Sequence, residues 1–428
     1  MSLLIKNATL ASGKNADVLI EGGSISKIGA VSSRADEKID ATGKIIIPGM
    51  INTHTHAAMT LFRGIAEDME LKGWLAAVRK AEILVTPPQI RAGSDLAALE
   101  MIKSGTTCFS DMYFHMDEVA ASVQDSGMRA VLGYSMVDGG NARGTRESVN
   151  EKKMGSELSI AEQFVKDWHG KAGGRITCSI PPHSIYLCSS PLIAKAAELS
   201  KKYSCVLHMH LSETRKEVFD CLEKTGARPA YYLDSLGVLS QRLVAAHAVW
   251  LTKEEVKLLA SKKVSASLNP VSNMKLAGGS AAPMPEMGQS GMNISLGTDG
   301  SASNNSLSMF ETMKFCALLQ KNSRWNATVA SAESVFSAAT VGGARALGIN
   351  SGEIAEGKLA DLVLLDKKAA NLVPAHSILA NLVYSSHAGN VTDVIIDGKI
   401  VMQERKVLTM DEEKVVQRAQ KEAEGLSA

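Results

Sequence analysis

The chain has 428 residues, 45% of them hydrophobic, which is enough for a large buried core and for two or three domains at roughly 150 residues each. Its 46 basic and 45 acidic residues leave a net charge of +1 with no basic block, so neither nucleic acid nor an anionic membrane is an expected partner. No cationic start leads into an apolar h-region and no apolar run is long enough to span a bilayer, so a cytoplasmic protein is expected.

Residues 1–50 read as short strands at 3–10, 16–21, 24–28 and 44–47, with Gly22-Gly23 as a hairpin signal. From residue 45 the pattern changes. Apolar runs at 45–56, 106–111, 129–134, 176–184, 205–212, 242–248, 264–270 and 293–300 alternate with helical stretches such as 88–103, 116–124, 191–202 and 253–262. Near-continuous apolar strands alternating with helices predict a parallel sheet with both faces covered. Eight such units predict a (β/α)8 TIM barrel. The tail returns to strands at 357–366, then a hairpin of 391–396 and 399–402 about Asp397-Gly398, then a charged helix over 411–426. The expected fold class is therefore α/β. A barrel over 51–350 is joined to a small β-sandwich domain formed by both termini, 1–50 and 351–428. The six cysteines are scattered without a Cys-x-x-Cys pair and read as reduced, buried thiols.

The first barrel run ends at Pro48-Gly49-Met50-Ile51-Asn52-Thr53-His54-Thr55-His56. Residues two apart on a strand face the same side, so His54 and His56 aim into one space, as a metal ion needs. In a barrel of this type the C-terminal strand ends converge on one face. The run at 176–184 ends in His183, that at 205–212 in His208-Met209-His210, followed by Glu213. The run at 242–248 ends in His247, and the last in Gly297-Thr298-Asp299-Gly300. Metal-capable side chains thus gather at a single predicted mouth. His208 points the same way as His210 but one layer deeper, which reads as structural. His115, His169, His376 and His387 are not expected as ligands, although His115 follows the second run near the cleft.

These motifs resemble the amidohydrolase superfamily and, within it, the methylthioadenosine/S-adenosylhomocysteine deaminases. The resemblance rests on the His54-Thr55-His56 segment, Leu61-Phe62-Arg63-Gly64, Pro182-His183-Ser184 and His210-x-x-Glu213. Asn269-Pro270-x-Ser272-Asn273-x-Lys275-Leu276 and Gly297-Thr298-Asp299-Gly300-x-x-Ser303-Asn304-Asn305 complete it, and it runs nearly end to end. It implies one divalent ion per subunit, usually Zn2+ with iron, nickel or manganese as alternatives, held by His54, His56, His210 and Asp299. Imidazole and carboxylate suit zinc and leave room for water. Two-metal relatives use a bridging lysine on the fourth strand, and 176–184 contains none.

The resemblance also implies a zinc-dependent hydrolytic deaminase acting on the adenine ring of 5′-modified adenosines. Methylthioadenosine and S-adenosylhomocysteine are the expected substrates, and ammonia and the inosine analogue the products. Asp299 is the expected base toward water, Glu213 the proton carrier to the ring nitrogen, and His247 the orienting group. Glu82 matches the family carboxylate that bonds ribose hydroxyls, His183 is expected at the ribose or base, and Arg146 lies where the family often places a substrate-facing arginine. Tyr134 stands where some members carry a second arginine, which weakens the case for a carboxylate-bearing tail. Trp74 and residues 71–75 are a candidate apolar wall or a piece of core. An alternative within the fold is hydrolysis of an amino or halogen group from another azine or purine ring, of the guanine, cytosine or triazine type. The expected partner is a small purine nucleoside, and the resemblance suggests a homo-oligomer.

Overall fold

The structure is a computed structural model that describes residues 2–69, 71–139, 149–424 and 426. Eight parallel strands follow one another in sequence order around a barrel: β1 (Met50–Thr55), β2 (Thr106–Tyr113), β3 (Arg129–Tyr134), β4 (Ile176–Ile180), β5 (Val206–Leu211), β6 (Leu243–His247), β7 (Ser265–Leu268) and β8 (Asn293–Leu296). Helices such as Pro87–Lys103, Met116–Ser126, Ser190–Tyr203 and Lys253–Ser261 cover the outside. That cover is why the strands read as unbroken apolar runs. Every residue of β2, for example, is buried.

Small polar side chains complete the barrel between β8 and β1. Thr53 Oγ1 donates to the Leu296 carbonyl at 2.9 Å and lies 2.7 Å from Ser267 Oγ and 2.9 Å from Ser295 Oγ. Asn52 Nδ2 donates to Thr298 Oγ1 at 2.7 Å, and the Thr298 amide returns a bond to Asn52 Oδ1 at 3.1 Å. One rung higher, the Asp299 amide donates to the His54 carbonyl at 2.9 Å. The seam is therefore hydrogen-bonded immediately below the two residues that carry chemistry.

Strands from both ends of the chain form a second, nine-stranded sheet. Its centre is Lys44–Pro48 running antiparallel to Leu362–Asp366. These two strands alternate strictly. Ile46, Leu362 and Leu364 enter a cluster with Leu3, Ile5 and Ile20, while Ile45, Ile47, Val363 and Leu365 join the core that continues into the barrel. Pro48 cannot donate a ladder bond, and at Gly49 an added Cβ would lie 2.0 Å from Thr107 Oγ1. The single apolar run at 45–56 is therefore two strands, handed from one sheet to the other at Pro48-Gly49.

The sheets are also tied by a buried ion pair. Arg129, at the start of β3, donates from Nε to Asp361 Oδ2 at 2.7 Å and from Nη2 to Asp361 Oδ1 and Asp397 Oδ1, both at 3.2 Å. The Asp397 amide donates to Asp361 Oδ1 at 2.8 Å. All six cysteines are free and buried. Among the described residues no helix is long and apolar enough to cross a membrane. Removing one partner of a buried pair strands the other charge. Arg129→Ala is therefore expected to cost about 3–5 kcal/mol, read as an earlier unfolding transition in a denaturant titration.

Candidate metal centre

His54 and His56 both face the barrel interior from β1, and their rings lie 5.0 Å apart, edge to face. His210 enters from β5, with its ring 4.8 Å from that of His54. Asp299 follows β8, and its Oδ1 lies 3.3 Å from His56 Nε2 and 3.6 Å from His54 Nε2. His247 ends β6. Ligand-capable atoms of His54, His56 and His210 lie within 4.8 Å of one another, and so do those of His54, His247 and Asp299. His247 and Asp299 adopt left-handed φ values of 72° and 63°. Histidine and aspartate tolerate that region better than most residues, and such conformations cluster at functional sites. Two glycines let the loops close in. A Cβ on Gly297 would meet the His54 carbonyl at 2.8 Å, and one on Gly300 would meet Met59 Sδ at 2.4 Å.

Outer partners set which nitrogen of each ring faces inward. Nδ1 of His56 donates to the Met112 carbonyl at 2.8 Å, and Nδ1 of His210 donates to the His183 carbonyl at 2.8 Å. A carbonyl only accepts, so these bonds fix the proton on Nδ1. Nδ1 of His54 meets His208 Nε2 at 3.0 Å, and His208 Nδ1 meets Ser110 Oγ at 3.2 Å. When His54 Nε2 is free of a proton, its Nδ1–H donates to His208, which donates on to Ser110. That chain leaves a lone pair on His54 Nε2, which is buried without a hydrogen-bond partner. Asp299 Oδ2 accepts from Ser272 Oγ at 2.6 Å and from Ser303 Oγ at 3.0 Å, so Oδ1 is the oxygen left to face the histidines. A cluster of inward nitrogen lone pairs beside one carboxylate oxygen is the donor set a borderline divalent cation takes. The residues present therefore fit a metal ion.

The electrostatics agree. Burial lowers His54 to about 4 and His183 to about 3, and it holds His208 and His210 well below the ordinary histidine value. These rings stay neutral and able to ligate. Burial opposes the charged form of Asp299, but the adjacent His54 and His56 imidazoles outweigh it and hold the carboxyl well below its usual range. His56 is the exception. Burial opposes its cation too, yet Asp299 and Asp111 raise it to about 9. Asp111, at the end region of β2, accepts the Ala57 amide at 2.9 Å and is itself raised by burial to about 6.

The remaining site residues fall as follows. Glu213 Oε1 lies 3.9 Å from His247 Nδ1, and burial raises its pKa. Its backbone amide donates to Glu217 Oε2 at 2.8 Å. The His183 ring stacks 4.3 Å from His210 and its Nδ1 is buried without a partner. Glu82 is held by the Tyr113 hydroxyl, which donates at 2.8 Å, and burial raises its carboxyl. Trp74 packs into the core with its Nε1 donating to the Ala302 carbonyl at 3.3 Å. Arg146 lies outside the described residues. His115 is exposed. Sequence reasoning gave no role to Ser272, Ser303, Asn273 or Ser110. Asn273 lies 3.0 Å from His247 Nδ1 through its side-chain nitrogen. The Asn269–Leu276 motif was the available signal, but a serine shows its partner only once the fold is closed.

Comparison with known proteins follows the same line. Residues 45–401 match the amidohydrolase family. The chain belongs to that family and is a hydrolase acting on carbon–nitrogen bonds. It is 42% identical over 430 residues to the 5′-deoxyadenosine deaminase of Methanosphaera stadtmanae, covering 99% of each chain. It is 44% identical over 423 residues to the enzyme of that name from Methanocaldococcus jannaschii, covering 98% of each. Among solved structures it resembles an adenosine deaminase from Xanthomonas campestris with bound zinc, at a TM-score of 0.91 and 31% identity, covering 99% of this chain and 98% of the other. It shares its fold with an atrazine chlorohydrolase from Arthrobacter aurescens, at a TM-score of 0.92 and 23% identity, covering 98% of this chain and 100% of the other.

The His56 proton and a cation compete for one lone pair. Below about pH 9 the metal-free ring is charged, so loading the site must expel that proton. Titrating zinc into metal-free protein at pH 7.5 is expected to release about one proton from His56, measured by calorimetry in buffers of different ionisation enthalpy. That release should vanish, and the apparent affinity level off, as pH rises through about 9.

Proposed function

We infer that the chain hydrolyses the 6-amino group of adenosines altered at the 5′ position, using one zinc ion held by His54, His56, His210 and Asp299. The observation that carries the reading is the pairing of this donor set with a largely buried Glu213 carboxyl, 3.9 Å from His247 and raised in pKa by burial. The relatives named 5′-deoxyadenosine deaminase, alike over nearly the whole chain, support the nucleoside class.

When bound, the cation supplies Lewis acidity that brings water ionisation toward neutral pH. The protein does the rest. Asp299 Oδ1 takes one proton from the attacking water as its oxygen bonds to C6 of the ring. Glu213, whose proton affinity burial raises, gives a proton to ring nitrogen N1, so that negative charge does not build up there. His247, fixed by Asn273, hydrogen-bonds the attacking oxygen. Asp299 then passes its proton to the amino group, the C6–N bond breaks and ammonia leaves. The new C6 hydroxyl returns a proton to Glu213 as the carbonyl forms, which restores both carboxyl groups.

Glu82, held by the Tyr113 hydroxyl, is the proposed acceptor of both ribose hydroxyls, a role its match to the family carboxylate supports. His183, with its unpartnered Nδ1, offers a further contact to base or sugar, and Arg146 is proposed at the 5′ end. Burial pushes the Tyr134 phenol up, so it meets the 5′ group as a neutral surface. That favours 5′-deoxyadenosine and methylthioadenosine over the charged tail of S-adenosylhomocysteine. A homo-oligomer, on the family resemblance, and a cytoplasmic location, on the sequence pattern, are further proposals.

Ammonia release from a panel of 5′-deoxyadenosine, methylthioadenosine, S-adenosylhomocysteine, adenosine, guanine, cytosine and a triazine tests the reading. The first two should give the highest kcat/KM, and preferential turnover of guanine, cytosine or the triazine would overturn it. Glu213→Gln should lower kcat by about 10²-fold or more while zinc content stays at one per chain.

A further inference from the structure

The metal centre occupies the C-terminal ends of the strands. At the opposite end a cavity of about 700 Å³ opens beneath the starts of β4 to β8. Three cations line it. Arg242 immediately precedes β6, Lys263 lies two residues ahead of β7, and Arg345 sits in the helix Val341–Leu347. No aspartate or glutamate lines the cavity. Among the described residues, none of these three side-chain heads enters a hydrogen bond or an ion pair.

Three cations without a carboxylate among them therefore share one concave wall. Elsewhere Arg63, Arg91, Arg228 and Arg324 each bind a carboxylate. A concave wall of one sign focuses its field into the space it encloses and draws in counter-charge. Guanidinium groups are suited to phosphate because their paired N–H groups match its oxygens. The rest of the wall supplies hydroxyls from Thr177 and Ser204 and apolar surface from Val206 and Leu347. Cys178 and Cys205 also face it from neighbouring strands, and burial raises the Cys205 thiol to about 11, so that it adds no negative charge. Ligand sites commonly enclose about 300–1,000 Å³, which includes this one.

We propose that this floor cavity binds a phosphorylated small molecule of nucleotide size, with its phosphate oxygens held by Arg242, Lys263 and Arg345 and its organic part against Val206 and Leu347. The site is separate from the metal centre and stands whether or not the deaminase reading does.

Calorimetric titration of UDP into the zinc-loaded, full-length protein tests it, because a pyrimidine avoids confusion with an adenine pocket. Saturable binding is expected, weakened about 10-fold or more in the double variant Arg242→Gln/Arg345→Gln. Lys263→Gln, at an exposed side chain, provides a second variant with little risk to folding and should also weaken UDP. Turnover of 5′-deoxyadenosine at saturating substrate should be unchanged in both. Inorganic phosphate should bind more weakly than UDP and lose affinity in the same variants. Absence of UDP binding at millimolar concentration, or equal UDP binding by the wild type and both variants, would overturn the proposal.

Discussion

The structure turns on one buried carboxylate facing two imidazoles. Asp299 Oδ1 lies 3.3 Å from His56 Nε2 and 3.6 Å from His54 Nε2, and the carboxylate is buried. A carboxylate in such a place cannot stand alone, because burying an unpaired charge is costly. Something positive must sit there, either a proton on His56 or a metal cation. Much else at the mouth serves that choice. Carbonyls orient His56 and His210, His208 orients His54, and two serines turn Oδ2 away so that Oδ1 remains available.

The barrel separates this chemistry from what holds the fold together. The mouth carries left-handed residues at strand ends, unpartnered lone pairs and glycines where no side chain fits. The lower part of the structure carries the Arg129–Asp361 pair and the apolar layer that binds the terminal sheet to the barrel. Strain gathers where function needs it, and the surrounding seam of Asn52, Thr53 and Thr298 bonds compensates.

Much of this was legible in the sequence, for identifiable reasons. The period-two spacing of His54 and His56 is a purely local geometric fact, and it placed both rings on one side. Eight apolar runs between helical stretches fixed the barrel, because strands covered on both faces cannot hide their composition. Other features were less legible. Residues 45–47 read both as the last strand of the terminal domain and as the start of the run at 45–56; the pairing of 44–48 with Leu362–Asp366 and of 50–55 with β2 shows that the chain passes between two sheets at Pro48-Gly49. His208 reads as structural, and its bond to His54 shows that it also sets a tautomer. Helices Ala332–Ala339 and Val341–Leu347 went unassigned, since Thr340 and Gly342-Gly343 break the pattern. Gly342 is there because its backbone passes the Ile294 carbonyl, where a Cβ would lie at 2.0 Å. The serines that turn Asp299 belong to a motif whose chemistry is set by residues 27 and 4 positions away from it, Ser272 and Ser303.

The account depends on a single cation gathered by side chains from three strands. A crystal structure of the zinc-loaded protein, with an anomalous difference map at the zinc edge, tests this most directly. The account predicts one strong peak, within about 2.0–2.2 Å of nitrogens from His54, His56 and His210 and of Asp299 Oδ1. A map with no peak among these residues, or with the ion bound by another set of side chains, would contradict it.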